Sequence, residues 1–180
     1  MNFTKWGASL GEMKRKRWPE TRDFHSRTAE TWFRAVSVHA STAIVYRWVC
    51  QLRIAPYSYD WLDNFGQTSP RHLIDGLEPI QIGQRVMTIF AIEDFDIGNF
   101  LTIVLRARRG LLCSELRITY LCVPVQEEVT RLVVRVQIDY PRHPFRSIIR
   151  TLLPAGDLFM MRKQLLTLKR LAELQCAKGL

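Results

Sequence analysis

The sequence has no C-x-x-C pair. Its four cysteines, Cys50, Cys113, Cys122 and Cys176, lie far apart, and His25, His39, His72 and His143 form no ligand cluster. A metal site is therefore not expected. A chain of 180 residues buries a sizeable core without disulfides. Free thiols fit a reducing compartment, so the cytoplasm is the expected location. No apolar run approaches the ~20 residues that cross a bilayer. The stretch FLTIVL, residues 100–105, is only strand length. The first ten residues, MNFTKWGASL, lack the apolar centre of a signal peptide. Repeats, low-complexity tracts and linkers are missing too, which leaves one soluble domain. No glycine-rich loop has phosphate-binding spacing, no serine sits in a nucleophile elbow, and no residues suggest a triad. No cofactor is expected.

Hydrophobic residues make up 47% of the chain and charged residues 24%, an ordinary globular balance. Acids are in deficit: 17 against 26 basic residues, a formal charge of +9. Much of the excess lies in small groups, Lys14 to Arg17, then Arg106, Arg108 and Arg109, then Arg162, Lys163, Lys169 and Arg170. Such a field attracts phosphates and anionic lipid headgroups. No zinc-finger spacing or ribonucleoprotein-type aromatic strand accompanies it, so specific nucleic-acid binding is not expected. The basic groups form either a solvated surface or a weak contact with an anionic surface.

Periodicity gives the order of elements. Ser9 and Glu12 have capping-box spacing, which predicts a short helix over 10–17 that ends before Pro19. Residues 31–40, TWFRAVSVHA, read as a strand. Ser41 is the expected cap of a helix over 42–52, with Val45, Trp48, Val49 and Leu52 on its buried face. Pro56 breaks the chain, Ser58 caps a second short helix, and Gly66 ends it. Residues 67–83 read as loop. Strands are predicted near 84–93, 99–107, 111–123 and 130–140. In the last, Leu132, Val134, Val136, Ile138 and Tyr140 share one face, while Arg131, Arg135, Gln137 and Asp139 share the other. One buried face and one wet face imply an antiparallel sheet. A short helix over 145–153, stopped by Pro154, precedes a long one over 156–176. Leu158, Met161, Leu165, Leu168 and Ala172 form the apolar stripe of the long helix. That stripe needs a surface to cover, and the buried sheet face is the large one available. A curved sheet gripping a helix leaves space between them, and such spaces hold apolar ligands.

The segment APYSYDWLDNFG, residues 55–66, concentrates aromatics and acids. Asp60 and Asp63 offer paired carboxylates for acid–base work. Equally, Asp60 falls in the first helical turn, where the helix dipole favours negative charge, and Asp63 lies on the same side. His39 and His143 are the remaining acid–base candidates, one at a strand end and one in a turn.

These elements and motifs resemble the START and birch-pollen-allergen superfamily, also called SRPBCC. Within it the chain is similar to bacterial members near the polyketide cyclase/dehydratase group. The likeness is carried by Trp6-Gly7-Ala8 with Glu12, by the strand Arg34 to Ala40, and by VYRWVCQ at 45–51. YSYDWLDN at 57–64, TRLVVR at 130–135 and FMMRKQLLTLKRLAE at 159–173 complete it. There are departures. Leu52 to Pro56 stands where relatives have a glycine-rich turn, and Pro19-Glu20-Thr21 where they have proline-glycine-aspartate. Gly83-Gln84 replaces a glycine-aspartate pair, so no role for that carboxylate carries over.

The resemblance implies an α+β helix-grip fold. A curved antiparallel sheet wraps a long C-terminal helix, with two short helices after the first strand. Residues 31–176 would form the single domain and residues 1–30 an extension packed on it. The expected partner is an apolar small molecule, a lipid, isoprenoid or polyketide-like compound, held between sheet and helix. Trp48, Tyr57, Tyr59, Trp61, Phe90, Leu116, Ile118, Tyr120, Val134, Val136, Met160, Met161 and Leu165 either line that space or form plain core. A polyketide cyclase/dehydratase-like enzyme is the alternative, and a basic membrane or nucleic-acid contact the second alternative.

Overall fold

A computed structural model describes Trp18 and residues 29–58, 68–74, 76–77, 79–87, 89–106, 115–140 and 146–178. Strand β1 spans Ala29–Val38. Helix α1, Thr42–Cys50, follows and ends in a 3-10 turn at Gln51–Arg53. Then come β2 (Arg85–Val86), β3 (Phe90–Asp96), β4 (Phe100–Arg106), β5 (Glu115–Gln126) and β6 (Val129–Asp139). Helix α2, Arg146–Ala177, closes the chain.

The six strands form one curved antiparallel sheet in the order β1-β6-β5-β4-β3-β2. The first and last strands are neighbours, with Ala29 opposite Asp139 and Val38 opposite Thr130. The apolar face expected of β6 is the inner one. Leu132, Val134, Val136 and Ile138 are fully buried on the concave face. The core lies between that face and the two helices. Ile118, Tyr120 and Cys122 of β5 and Leu101 and Ile103 of β4 meet Trp48 and Val49 of α1 and Met161, Leu165 and Leu168 of α2. This is the α+β helix-grip architecture.

Several local expectations change. Ser41 occupies the N-cap position in an extended conformation, but its side chain makes no capping bond. The entrance to α1 is fixed instead by Thr130, whose hydroxyl donates to the Ala40 carbonyl at 2.8 Å and lies 3.2 Å from the Thr42 hydroxyl. The strand expected over 84–93 is divided, because Met87 turns the backbone to φ 44°. The second short helix, between Ser58 and Gly66, falls outside the described residues, as does the one over 10–17.

Pro154 does not stop a helix: α2 runs through it without a break. Proline removes one backbone hydrogen bond and crowds the carbonyl four residues back. Tertiary contacts hold the turns on either side. Arg150 pairs with Glu30, and Asp157 pairs with Arg34 at 3.2 Å, so β1 fastens both sides of the proline. Of the expected inner stripe Met161, Leu165, Leu168 and Ala172 are buried, Gln164 and Leu171 join them, and Asp157 and Leu158 at its start are both half-buried.

The convex face is not wet. Thr102 and Thr119 are wholly buried, their hydroxyls 3.1 Å apart, and Arg117, Arg135 and Gln137 are buried too. Apolar groups on this face explain it. Ala35, Leu121, Val123 and Val133 cluster there, with Phe33, Phe100 and Trp18 packed against them. Trp18 packs with its ring tilted 48° to that of Phe33, centroids 5.5 Å apart, and carries the Arg135 guanidinium 4.7 Å from its ring centroid. Arg117 survives burial because Glu93 and Glu115 both accept its N–H groups, each with a contact at 3.0 Å.

Candidate functional site

The largely apolar interior holds a short line of polar groups along the inner face of α2, besides the buried Gln51 after α1 and Thr130 of β6. Tyr120 points from β5 into the core and is completely buried. Its phenol donates to Gln164 Oε1 at 2.8 Å, and Gln164 Nε2 donates to the Pro56 carbonyl at 2.6 Å. One glutamine thus joins the sheet to the loop after α1. Two helical turns earlier on the same face, Asp157 accepts from Arg34. Arg34 shares strand parity with Trp32, Val36 and Val38, so β1 delivers a guanidinium to the concave side.

Burial sets the electrostatics here. It pushes the Asp157 carboxyl up to about 6, although the Arg34 charge opposes the rise. The Arg34 guanidinium is lowered by burial in turn, against the pull of Asp157. Burial also raises the Tyr120 phenol, and the Asp157 charge adds to the rise, while the Gln164 bond works the other way. Arg34 Nε is buried with no hydrogen-bond partner among the described residues. Nearby, Tyr140 donates to Glu30 at 3.4 Å, and its phenol is raised by burial first and by Glu30 second. The arrangement holds one carboxyl that changes protonation near neutrality, one cation and one phenol beside apolar walls.

Most sequence candidates come together around this line. Trp48, Tyr57, Ile118, Tyr120, Val134, Val136, Met161 and Leu165 share one buried cluster, and Phe90 and Leu116 pack half-buried against it. Met160 is half-buried outside that cluster. Tyr57 is a pillar at φ 56°. It meets the Trp48 ring edge-on at 5.9 Å and accepts a hydrogen bond from Gln51 Nε2. Gln51 also donates to the His72 carbonyl at 2.8 Å and accepts from the Ile74 amide at 2.9 Å. Trp48 Nε1 donates to Gln175 at 3.1 Å, tying α1 to α2. Tyr59, Trp61, Asp60, Asp63 and His143 lie outside the described residues. His39 is exposed, away from the interior, with its amide bonded to Glu173.

Arg34, Gln51, Asp157 and Gln164 were not candidates by sequence. A signal existed for two of them. Asp157, Met161, Gln164 and Leu168 step by four, three and four, so the polar pair sits on the same stripe as the apolar residues. Among the described residues no group of three or more potential metal ligands occurs.

No family model matches this chain. No curated protein matches it in sequence. Solved structures do match in fold. The Zhui aromatase/cyclase from Streptomyces sp. R1128 superposes with a TM-score of 0.55 at 12% identity, over 81% of this chain and 94% of that one. The di-domain aromatase/cyclase BexL of the BE-7585A biosynthetic pathway gives 0.51 at 15% identity, over 81% of this chain and 47% of that one. For StfQ of the steffimycin pathway the values are 0.50 and 11%, over 83% and 52%. The shared property is the helix-grip fold.

Proposed function

We propose that this helix-grip chain binds an apolar small molecule of the lipid, isoprenoid or polyketide-like class between the concave sheet face and α2. The observation that carries this reading is the Arg34–Asp157 pair set at a largely apolar interior beside Tyr120. A buried ion pair is a poor device for stability, because desolvation offsets much of its attraction. Perturbed groups in an apolar surrounding are instead typical of binding and reaction sites. In this reading the ligand's apolar body lies against Ile118, Val134, Val136 and Leu165. Its polar end meets Arg34, Asp157 and Tyr120. Native mass spectrometry of the purified protein, with analysis of its organic extract, tests this. A stoichiometric adduct lost on denaturation supports it. A clean apo mass across preparations, with no uptake of added apolar probes, rejects it.

A second reading is favoured by the Asp157 carboxyl, held near 6 next to a phenol and a guanidinium. That set exchanges protons with a bound carbonyl or enol at ordinary pH. The fold-level neighbours are aromatase/cyclases, which supports a folded polyketide chain as substrate. An enzyme of this kind loses turnover in Asp157→Asn while retaining its ligand. A carrier changes only in affinity.

The described Cys50, Cys122 and Cys176 are not disulfide-bonded, and no described helix is long and apolar enough to cross a membrane. The thiols support a cytoplasmic setting. Residues 1–30 are read as an extension on the domain of 31–176, which the packing of Trp18 on Phe33 supports.

A further inference from the structure

Helix α2 has a second face, turned away from the sheet. Leu152, Phe159 and Leu166 recur there at seven-residue steps, so they line up along the helix. Leu152 is 65% exposed, Phe159 66% and Leu166 37%, whereas the inner Leu165 is 2% exposed. Gly156 between them has open space around it. Lys163 and Arg170 rise from the same face, exposed and without a salt bridge among the described residues. Arg162 lies exposed beside them.

The helix has two acids, and both are engaged elsewhere. Asp157 turns inward to Arg34. Glu173 accepts from Lys169 at 2.7 Å and from the His39 amide at 2.9 Å. Glu173 is the next seven-residue step after Leu166, but Lys169 already neutralises it, so the outer face is an apolar ridge edged by Lys163 and Arg170, which have no carboxylate partner among the described residues. A second copy of this chain is a poor occupant, because a twofold contact along the ridge would bring Lys163 and Arg170 against the same cations. An anionic surface complements it.

We propose that the outer face of α2 docks on an anionic lipid bilayer. Leu152, Phe159 and Leu166 enter the interfacial layer, and Lys163 and Arg170 meet the phosphate-bearing headgroups. Interfacial helices combine buried apolar side chains with basic flanks in this way. Each basic residue near an anionic leaflet raises partitioning about fivefold. The docking stands independently of any ligand inside the fold.

Sedimentation of the full chain with vesicles tests this. One set is phosphatidylcholine alone, and the other contains ~30% phosphatidylglycerol to supply the anionic surface. The wild-type chain is expected to pellet with the second set alone, and to be released in ~0.5 M salt. Lys163→Glu with Arg170→Glu should lower the partition constant at least ~25-fold. Phe159→Ser should lower it about tenfold, and at every salt concentration. Arg71→Glu with Arg85→Glu changes net charge equally on other exposed surfaces and should cost no more than about twofold. Far-UV circular dichroism verifies that each exposed-site variant is folded. Three results overturn the proposal: wild type in the supernatant with both vesicle sets, an equal loss in the Arg71/Arg85 variant, or a wild-type dimer in sedimentation equilibrium that Phe159→Ser dissociates. The last would give the ridge to a second copy.

Discussion

Tyr120 and Gln164 join across the interior, phenol to amide oxygen at 2.8 Å, and the same amide holds the Pro56 carbonyl at 2.6 Å. Three elements distant in sequence thus share one side chain. Gln164→Leu would leave two buried polar groups without it and should cost about 2–3 kcal/mol. Tyr120→Phe should cost about 1 kcal/mol. The double variant should cost less than the sum, since each change removes the other's unmet partner. Urea denaturation of the three variants measures the coupling, and strict additivity would dissolve the link.

Asp157 makes stability depend on pH in the reverse of the usual carboxylate sense. Its folded value of about 6 lies above the unfolded value of ~4. The folded chain therefore holds this proton more tightly. The stabilising contribution is complete below pH ~4 and is lost as pH rises through 6. Relative to Asp157→Asn, wild type should lose about 2–3 kcal/mol between those limits. Glu173, lowered overall because the His39 amide and Lys169 outweigh its burial, acts oppositely. It cancels in the comparison. Thermal melts of both proteins at several pH values give the answer, and parallel curves would show an ordinary carboxyl.

Arg117 is 3% exposed in its side chain and neutralises two partly exposed carboxylates. Arg117→Met should cost about 3 kcal/mol, mostly because Glu93 and Glu115 lose their counter-charge. Adding Glu93→Gln should restore part of it. A double variant as unstable as the single would mean that lost packing, not charge, is responsible.

Pro154 lies inside α2 rather than at its border. A proline there disfavours a helix by ~3 kcal/mol relative to alanine, partly offset by its stiffening of the unfolded chain. Pro154→Ala should raise the melting midpoint and add about 2 kcal/mol in chemical denaturation. A lower midpoint would show that the proline's bend fits α2 to the sheet.

The fold was legible because two patterns are strong. The alternation of Leu132, Val134, Val136 and Ile138 marks a strand, and Met161, Leu165, Leu168 and Ala172 mark a covering helix. Both follow from local period alone. What sequence missed depends on partners far away. Arg135 reads as solvent-facing until Trp18, packed on the apolar convex cluster, covers it. Pro154 reads as a stop until Glu30 and Arg34 are seen to hold the turns beside it. Asp157 and Gln164 were passed over for a related reason. Polar residues on an inner stripe look like its edge unless their buried partners are known. The aromatic candidates fared better, since Trp48, Tyr57 and Tyr120 are large enough to declare burial by type.

The pairing of β1 with β6 has a consequence for the order of folding. Ala29 and Asp139 stand opposite each other although most of the chain separates them. The hairpins β3-β4, β4-β5 and β5-β6 close over short spans, whereas β1 waits for the last strand to exist. Long-range closure of this kind slows folding. On the ribosome, the first strand emerges with no partner and stays unpaired until β6 is made. Helix α2, which fastens to β1 through Arg34 and Glu30, is synthesised later still. The edge of the sheet and its clasp are therefore completed only after β6 and α2 have both been made.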